Sequence, residues 1–143
     1  MDRSTIAAKL CGTGMFENEG YKLMGAAFEV YNEIGYGMAE EVYQQCLEIE
    51  LELRKIPFMI KHEPKLTYKG HQIQKTYIPD SFVFNAIVVE LKAVKELVSE
   101  HEAQLLNYMR IAQQPVGYLI NFGHKDELEW KRFIISNLRR RND

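Results

Sequence analysis

The stretch AIVVELKAV, residues 86–94, constrains the fold more than any other part of the chain. Its four apolar residues in a row, Ala86 to Val89, do not alternate with polar ones, so a strand built from them is buried on both faces. Such a strand needs helices above and below it, which predicts an α/β architecture. The preceding PDSFVF, Pro79 to Phe84, reads as the partner strand, with Phe84, Asn85 and Ala86 as the turn. In a hairpin centred on Asn85, residues equidistant from it face each other, which pairs Asp80 with Glu90. Facing residues of an antiparallel pair have Cβ atoms roughly 4.5–5.5 Å apart on the same side of the sheet. Alternation places Glu90 and Lys92 on one face and Val89 and Leu91 on the other. A slip of one residue would break the pairing.

Charges this close need compensation. Removing a carboxylate from water costs several kcal/mol unless something offsets it, and two neighbouring carboxylates repel unless a divalent metal or a proton lies between them. An all-oxygen site suits magnesium or manganese, with substrate phosphate completing the shell. The lysine would serve the attacking water and steady the charge growing on a phosphorane. The expected chemistry is phosphodiester hydrolysis.

Around this hairpin the chain reads as one continuous domain, residues 21–143, behind a weakly ordered lead-in over residues 1–20. Met24, Ala27, Phe28, Tyr31 and Ile34 have helical spacing, and the helix stops at Gly35 to Gly37. A second helix carries Val42, Cys46, Ile49 and Leu53 on its apolar stripe and ends before Pro57. Three strands follow: one in FMIKHEPKLTY around Pro64, one in HQIQKTYIPDSFVF after a KGH turn, and AIVVELKAV. Helix returns in SEHEAQLLNYMRIAQQ and stops at Pro115, VGYLINF forms a short buried strand, and DELEWKRFIISNLRRR closes as an amphipathic helix carrying Trp130, Phe133, Ile134 and Leu138.

The 143 residues suffice for one domain with a real core. With 18 basic against 20 acidic residues the net charge is -2, so no global field draws the chain to nucleic acid or an anionic membrane, and any such contact is local. Cys11 and Cys46 form no CxxC, which fits a reducing compartment. MDRSTIAAKLCGTGMF has no apolar core of signal-peptide length, and no run approaches the roughly 18 apolar residues of a membrane span. A soluble, cytoplasmic protein is expected.

Three motifs carry a resemblance. Pro79-Asp80 followed by Glu90-Leu91-Lys92 resembles the signature of the PD-(D/E)XK nuclease superfamily, and QLLNY, Gln104 to Tyr108, resembles the QxxxY motif of its RecB-type exonuclease branch. GMAEEVY, with Gly37, Glu40 and Tyr43 in the named places, is similar to the pattern of the GxxExxY family of small bacterial proteins, as are YLINFG at Tyr118 to Gly123 and the Lys131-Arg132 pair. The resemblance implies a restriction-endonuclease-like core, a mixed sheet of about four strands flanked by helices, and a Mg2+- or Mn2+-dependent nuclease. Asp80 and Glu90 would bind the metal, with the Leu91 carbonyl a further ligand, and Lys92 would be the catalytic lysine. Gln104 and Tyr108 would line the substrate side. Glu40 would hold a second metal or orient water, and Tyr43, three residues on and on the same helical face, would be a further substrate-binding residue. The partner would be nucleic acid, DNA ahead of RNA, with a homodimer or partner proteins left open. The four cysteines of an iron-sulphur cluster, found in some RecB-type nucleases, are missing.

Blander readings compete. Glu90 and Lys92 can be a salt bridge at a sheet edge, and Glu40 a first-turn acid favoured by the helix dipole. His62, His71, His101 and His124 have no zinc-like spacing. Phe82, Phe84, Phe122, Trp130 and Phe133 fall at core spacing, and Arg139 to Arg141 suit a basic helix end as well as a phosphate backbone. The alternative function is a non-catalytic nucleic-acid-binding or regulatory module on a nuclease fold.

Overall fold

The structure is a computed structural model that describes residues 14–60, 67–73 and 81–136. Among the described residues helices α1 (Glu17–Ile34) and α2 (Glu40–Leu53) come first. Strands β1 (Phe58–Ile60), β2 (Thr67–Tyr68), β3 (His71–Gln72), β4 (Ser81–Val83) and β5 (Ile87–Lys92) follow, then helix α3 (Ser99–Ala112) and strands β6 (Val116–Asn121) and β7 (Glu129–Ile134). A five-stranded sheet has the order β1-β4-β5-β6-β7, and β2 pairs with β3 in a separate hairpin. Strands β5 and β6 run parallel, and the other pairs of the large sheet are antiparallel. Two parallel neighbours cannot be joined by a tight turn, and α3 makes the required crossover. The result is a mixed α/β sheet of the restriction-endonuclease-like type.

Burial follows the pattern of β5. Ile87, Val89 and Leu91 are fully buried in a core with Leu23, Ala27 and Val30 of α1 and Leu47 and Leu51 of α2. On the other face Val88 is fully buried in a smaller cluster with Leu105, Tyr108 and Met109 of α3 and Leu119 of β6. Each fully buried Leu, Ile or Met contributes about 1.5–3 kcal/mol, so the larger cluster carries most of the hydrophobic stabilisation. The smaller one depends on close approach. A Cβ on Gly117 would lie 2.5 Å from the Met109 sulfur, so a larger residue there would have to displace the Met109 and Leu105 side chains that pack α3 on β6.

Helix α1 stops as expected at Gly35, whose N–H donates to the Tyr31 carbonyl. It starts at Glu17, four residues before Tyr21, and the acids Glu17 and Glu19 in its first turn favour that end of the helix dipole.

Two other expectations are corrected, and a third lies partly outside the described residues. The closing amphipathic helix is strand β7 over the described residues, with Leu138 outside them. The far edge of the buried strand β6 presents N–H and C=O groups that must be paired, and β7 supplies the ladder from Val116↔Ile134 to Asn121↔Glu129. That requirement outweighs the helical spacing of Trp130, Phe133 and Ile134. With β7 the large sheet has five strands among the described residues, in keeping with the expected mixed sheet of about four. In α2 the buried residues are Tyr43, Leu47 and Leu51, while Ile49 and Leu53 of the expected stripe are exposed. Two apolar stripes interleave there, and the one holding the large tyrosine ring faces the sheet. The expected strand around Pro64 falls partly on residues 61–66, outside the described ones, and the flanking parts are the separate short strands β1 and β2.

Candidate active site on strand β5

The β4–β5 hairpin has the expected register. Ser81 faces Val89, Phe82 faces Val88 and Val83 faces Ile87, all equidistant from Asn85. Phe84 and Asn85 both have positive φ, 58° each, and the Ala86 N–H donates to the Val83 carbonyl, which closes the turn. Asp80 lies outside the described residues.

Beyond Val88, the α3 face of β5 changes from apolar to charged. Glu90 is only 4% exposed, and the Lys92 Nζ is 3.4 Å from its Oε2. The same Nζ makes a long contact of 3.5 Å with the Oε1 of Gln104 on α3. One helical turn further, Tyr108 is fully buried. Burial pushes its phenol above the ordinary value, and the charge of Glu90 pushes it the same way, so Tyr108 stays neutral beside a carboxylate. Four expected site residues, Glu90, Lys92, Gln104 and Tyr108, are thus brought together between β5 and α3. They lie toward the carboxyl end of a parallel strand pair, where α/β sheets place their ligands.

Glu40 and Tyr43 belong to α2, which covers the opposite face. Tyr43 is fully buried, stacks on Phe122 with ring centroids 4.7 Å apart, donates its hydroxyl to the Gly35 carbonyl at 2.5 Å and accepts from the Met38 N–H at 3.1 Å. It closes the loop ahead of Glu40, so the expected place of Tyr43 on the substrate side is corrected: its ring and hydroxyl are both taken up by internal contacts. Phe122 in turn donates its N–H to the Lys92 carbonyl at 2.8 Å. The first turn of α2, half-buried Glu40 included, therefore sits at the strand end that carries Lys92.

A supporting network was not foreseen from the sequence. Asn121, the register partner of Lys92, is fully buried. Its Oδ1 accepts from the Val94 and Gly123 N–H groups at 2.9 and 3.0 Å, and its Nδ2 donates to the Val94 carbonyl and to the Glu129 Oε1, both at 2.9 Å. Glu129 also accepts from the Leu97 N–H. These bonds tie the segment after Lys92 to β6 and β7, and so fix where Lys92 leaves the sheet and where α3 begins. The signal was Asn121 itself, a polar residue ending an otherwise apolar strand.

Residues outside the site have other partners. Lys131 pairs with Glu102, and Arg132 donates to the Met15 carbonyl at 2.5 Å while lying over the Tyr118 ring. His101 accepts from the Val98 N–H at the start of α3, and Cys46 is a free, half-buried thiol. Among the described residues no three His, Cys, Asp or Glu side chains form a metal cage. The buried Glu90 carboxylate and the neighbouring main-chain carbonyls are hard oxygen donors of the kind magnesium and manganese take, so the residues present fit such an ion. No described helix is long and apolar enough to cross a membrane.

The fold is a helix-flanked mixed sheet that carries a buried glutamate two residues before a lysine, the α/β class expected of this sequence. The family model of the PD-(D/E)XK nuclease superfamily matches residues 17–133, and the chain belongs to that superfamily. Its members are in general hydrolytic nucleases that use divalent metals. Neither the curated proteins nor the solved structures yield a match.

Proposed function

We propose that the chain is a Mg2+- or Mn2+-dependent nuclease of the GxxExxY type, hydrolysing nucleic-acid phosphodiesters in DNA ahead of RNA, with weak sequence preference. The observation that carries this reading is the buried Glu90 held 3.4 Å from Lys92, with Gln104 facing them from α3. Burying a carboxylate costs several kcal/mol, so a merely structural pair would be better replaced by apolar residues like Val88 on the same face.

In this reading Asp80, Glu90 and the Leu91 carbonyl would hold the metal, with Glu40 as a further acid at the same strand end. A bound divalent ion lowers the pKa of its water and offsets charge on the phosphate. The residues do the rest. Lys92 orients the attacking water and meets the negative charge that grows on phosphorus as the new P–O bond forms and the bond to the leaving oxygen breaks. Gln104 holds the Lys92 amine from the side, and the neutral Tyr108 phenol braces Glu90. Tyr43 acts indirectly, by fixing the loop before Glu40. Contacts to phosphates carry little base information, hence the weak preference.

The test is cleavage of labelled single- and double-stranded DNA and RNA with magnesium, manganese or EDTA, comparing the wild type with Asp80→Ala and Lys92→Ala. Metal-dependent cutting lost in both variants supports the reading, and cutting that survives both overturns it. Absence of cutting, together with no calorimetric metal binding, would leave a non-catalytic module on the nuclease fold.

A further inference from the structure

A cavity of about 330 Å³ opens far from Glu90, between α1, the end of α2 and the β4–β5 turn. Tyr21, Lys22 and Gly25 line it from α1, Arg54, Lys55 and Ile56 from the α2 terminus, and Phe84 from the turn. It adjoins the start of β5, whereas Lys92 ends that strand, and five steps of about 3.3 Å separate Ile87 from Lys92. It also belongs to the α1–α2 side of the sheet, opposite the face of Glu90 and Lys92. The two sites share no lining residue.

Three of the seven lining residues are cationic, in a chain whose net charge is -2. Arg54 is paired with Glu50, its Nε 2.7 Å from Oε2, and Lys22 and Lys55 are both exposed. Gly25 leaves room for that guanidinium: a Cβ there would lie 3.2 Å from the Arg54 Nη1. Two rings complete the lining, Tyr21 at 82% exposure and the half-buried Phe84.

The backbone gives an independent indication. Lys55 and Phe84 have φ of 59° and 58°, two of the six non-glycine residues with positive φ among the described residues. Lys55 occupies the left-handed position just past α2. Its N–H donates to the Glu52 carbonyl and the Ile56 N–H to the Leu51 carbonyl, the pair of bonds that normally accompanies glycine there. Phe84 takes the first central position of the hairpin turn, which asparagine, aspartate or glycine would fill with less strain. Backbone outliers cluster at ligand sites, and here the two unfavourable choices present an amine and a ring to one cavity.

We propose that this cavity binds a nucleoside phosphate, its phosphate held by Lys22, Arg54 and Lys55 and its base against Tyr21 and Phe84. The volume suits one nucleotide, near the lower end of the range for small-molecule sites. The ligand is either a free mononucleotide or the phosphorylated end of a strand. The site is independent of the nuclease reading, and its test uses no cleavage.

The experiment is isothermal titration calorimetry in EDTA with adenosine 5′-monophosphate, adenosine, inorganic phosphate and a 5′-phosphorylated tetranucleotide. It uses the wild type, Lys22→Ala and Lys55→Gly. The last is the decisive variant, because glycine suits the left-handed position and removes the amine without harming the helix end. The expected result is binding of the monophosphate that weakens at least tenfold in both variants, with Lys55→Gly melting no lower than the wild type. Tighter binding of the tetranucleotide would assign the site to strand ends, and tighter binding of the monophosphate to free nucleotide. The proposal is overturned if the monophosphate does not bind, if both variants bind it as the wild type does, or if adenosine or inorganic phosphate alone binds equally well.

Discussion

The two faces of strand β5 are built to different ends. On one, Ile87, Val89 and Leu91 are fully buried beneath two helices with no polar atom among their side chains. On the other, Val88 is equally buried, but the next two positions are Glu90 and Lys92, covered by the single helix α3. One face supplies hydrophobic stabilisation, and the other gives up part of it to keep a carboxylate and an amine together. Because neighbouring positions on one strand differ so sharply, stability and chemistry can be separated by substitutions one residue apart.

The largest effects test that separation directly. Under the proposed function, Glu90→Gln and Lys92→Ala each lower the cleavage rate by about 10²–10⁴. Ile87→Ala on the opposite face costs about 2–5 kcal/mol of stability through transfer and cavity terms, while cleavage by the folded fraction continues. Urea unfolding and single-turnover cleavage of the same preparations measure the two. If Ile87→Ala abolished cleavage by protein that was still folded, the two faces would not be separable.

The next effects lie where the faces meet, in the turn after Lys92. A Cβ on Gly123 would fall 2.4 Å from the Val94 carbonyl oxygen and 2.5 Å from its nitrogen. The obstacle is backbone, so Gly123→Ala moves the segment that follows the lysine and costs about 1–3 kcal/mol, as overpacking does. Asn121→Ala leaves the Val94 carbonyl and the Val94 and Gly123 N–H groups without their partner, at about 1–3 kcal/mol. Both variants are expected to lose more cleavage than Ile87→Ala at equal stability, because they disturb the exit of Lys92 from the sheet. Plotting rate against melting temperature for the three sharpens the contrast.

The same contrast explains which parts of the fold could be read in advance. The hairpin centred on Asn85 was legible because FNA reads as a turn between two strand-like runs, and the strand pairs follow that centre. Gln104 and Tyr108 were legible as a pair because residues four apart share a helical face. Strand β7 was not. Trp130, Phe133 and Ile134 suit a helix, and only the open edge of β6 decides for a strand. The same limit applies to α2, where EVYQQCLEIELEL offers two apolar stripes and the sheet selects the one with Tyr43, Leu47 and Leu51. Asn121 and Glu129 are eight residues apart and meet only because β6 and β7 pair. Local pattern showed the strand that carries Glu90 and Lys92, and tertiary pairing supplied its support.

The smallest expected effect sits on the charged face itself. Burial, and then the charge of Glu90, hold the Tyr108 phenol above its ordinary value of 10.0, so the folded chain keeps this proton longer than the unfolded one. Below that value both states are protonated, and the full contribution of Tyr108 is present. As pH rises past it the unfolded chain gives up its proton first, and stability falls until the folded-state value is reached. Tyr108→Phe removes a hydroxyl beside Glu90, so near neutral pH it costs about 1 kcal/mol. It also removes one alkaline proton loss, so its deficit should shrink between about pH 8 and pH 11. Tyr31, raised chiefly by burial on the α1 side, titrates in both proteins and cancels in the comparison. A deficit in melting temperature that stays constant or widens over that interval would mean that the charged face does not hold this proton, and that Glu90 acts on Tyr108 less than the buried geometry requires.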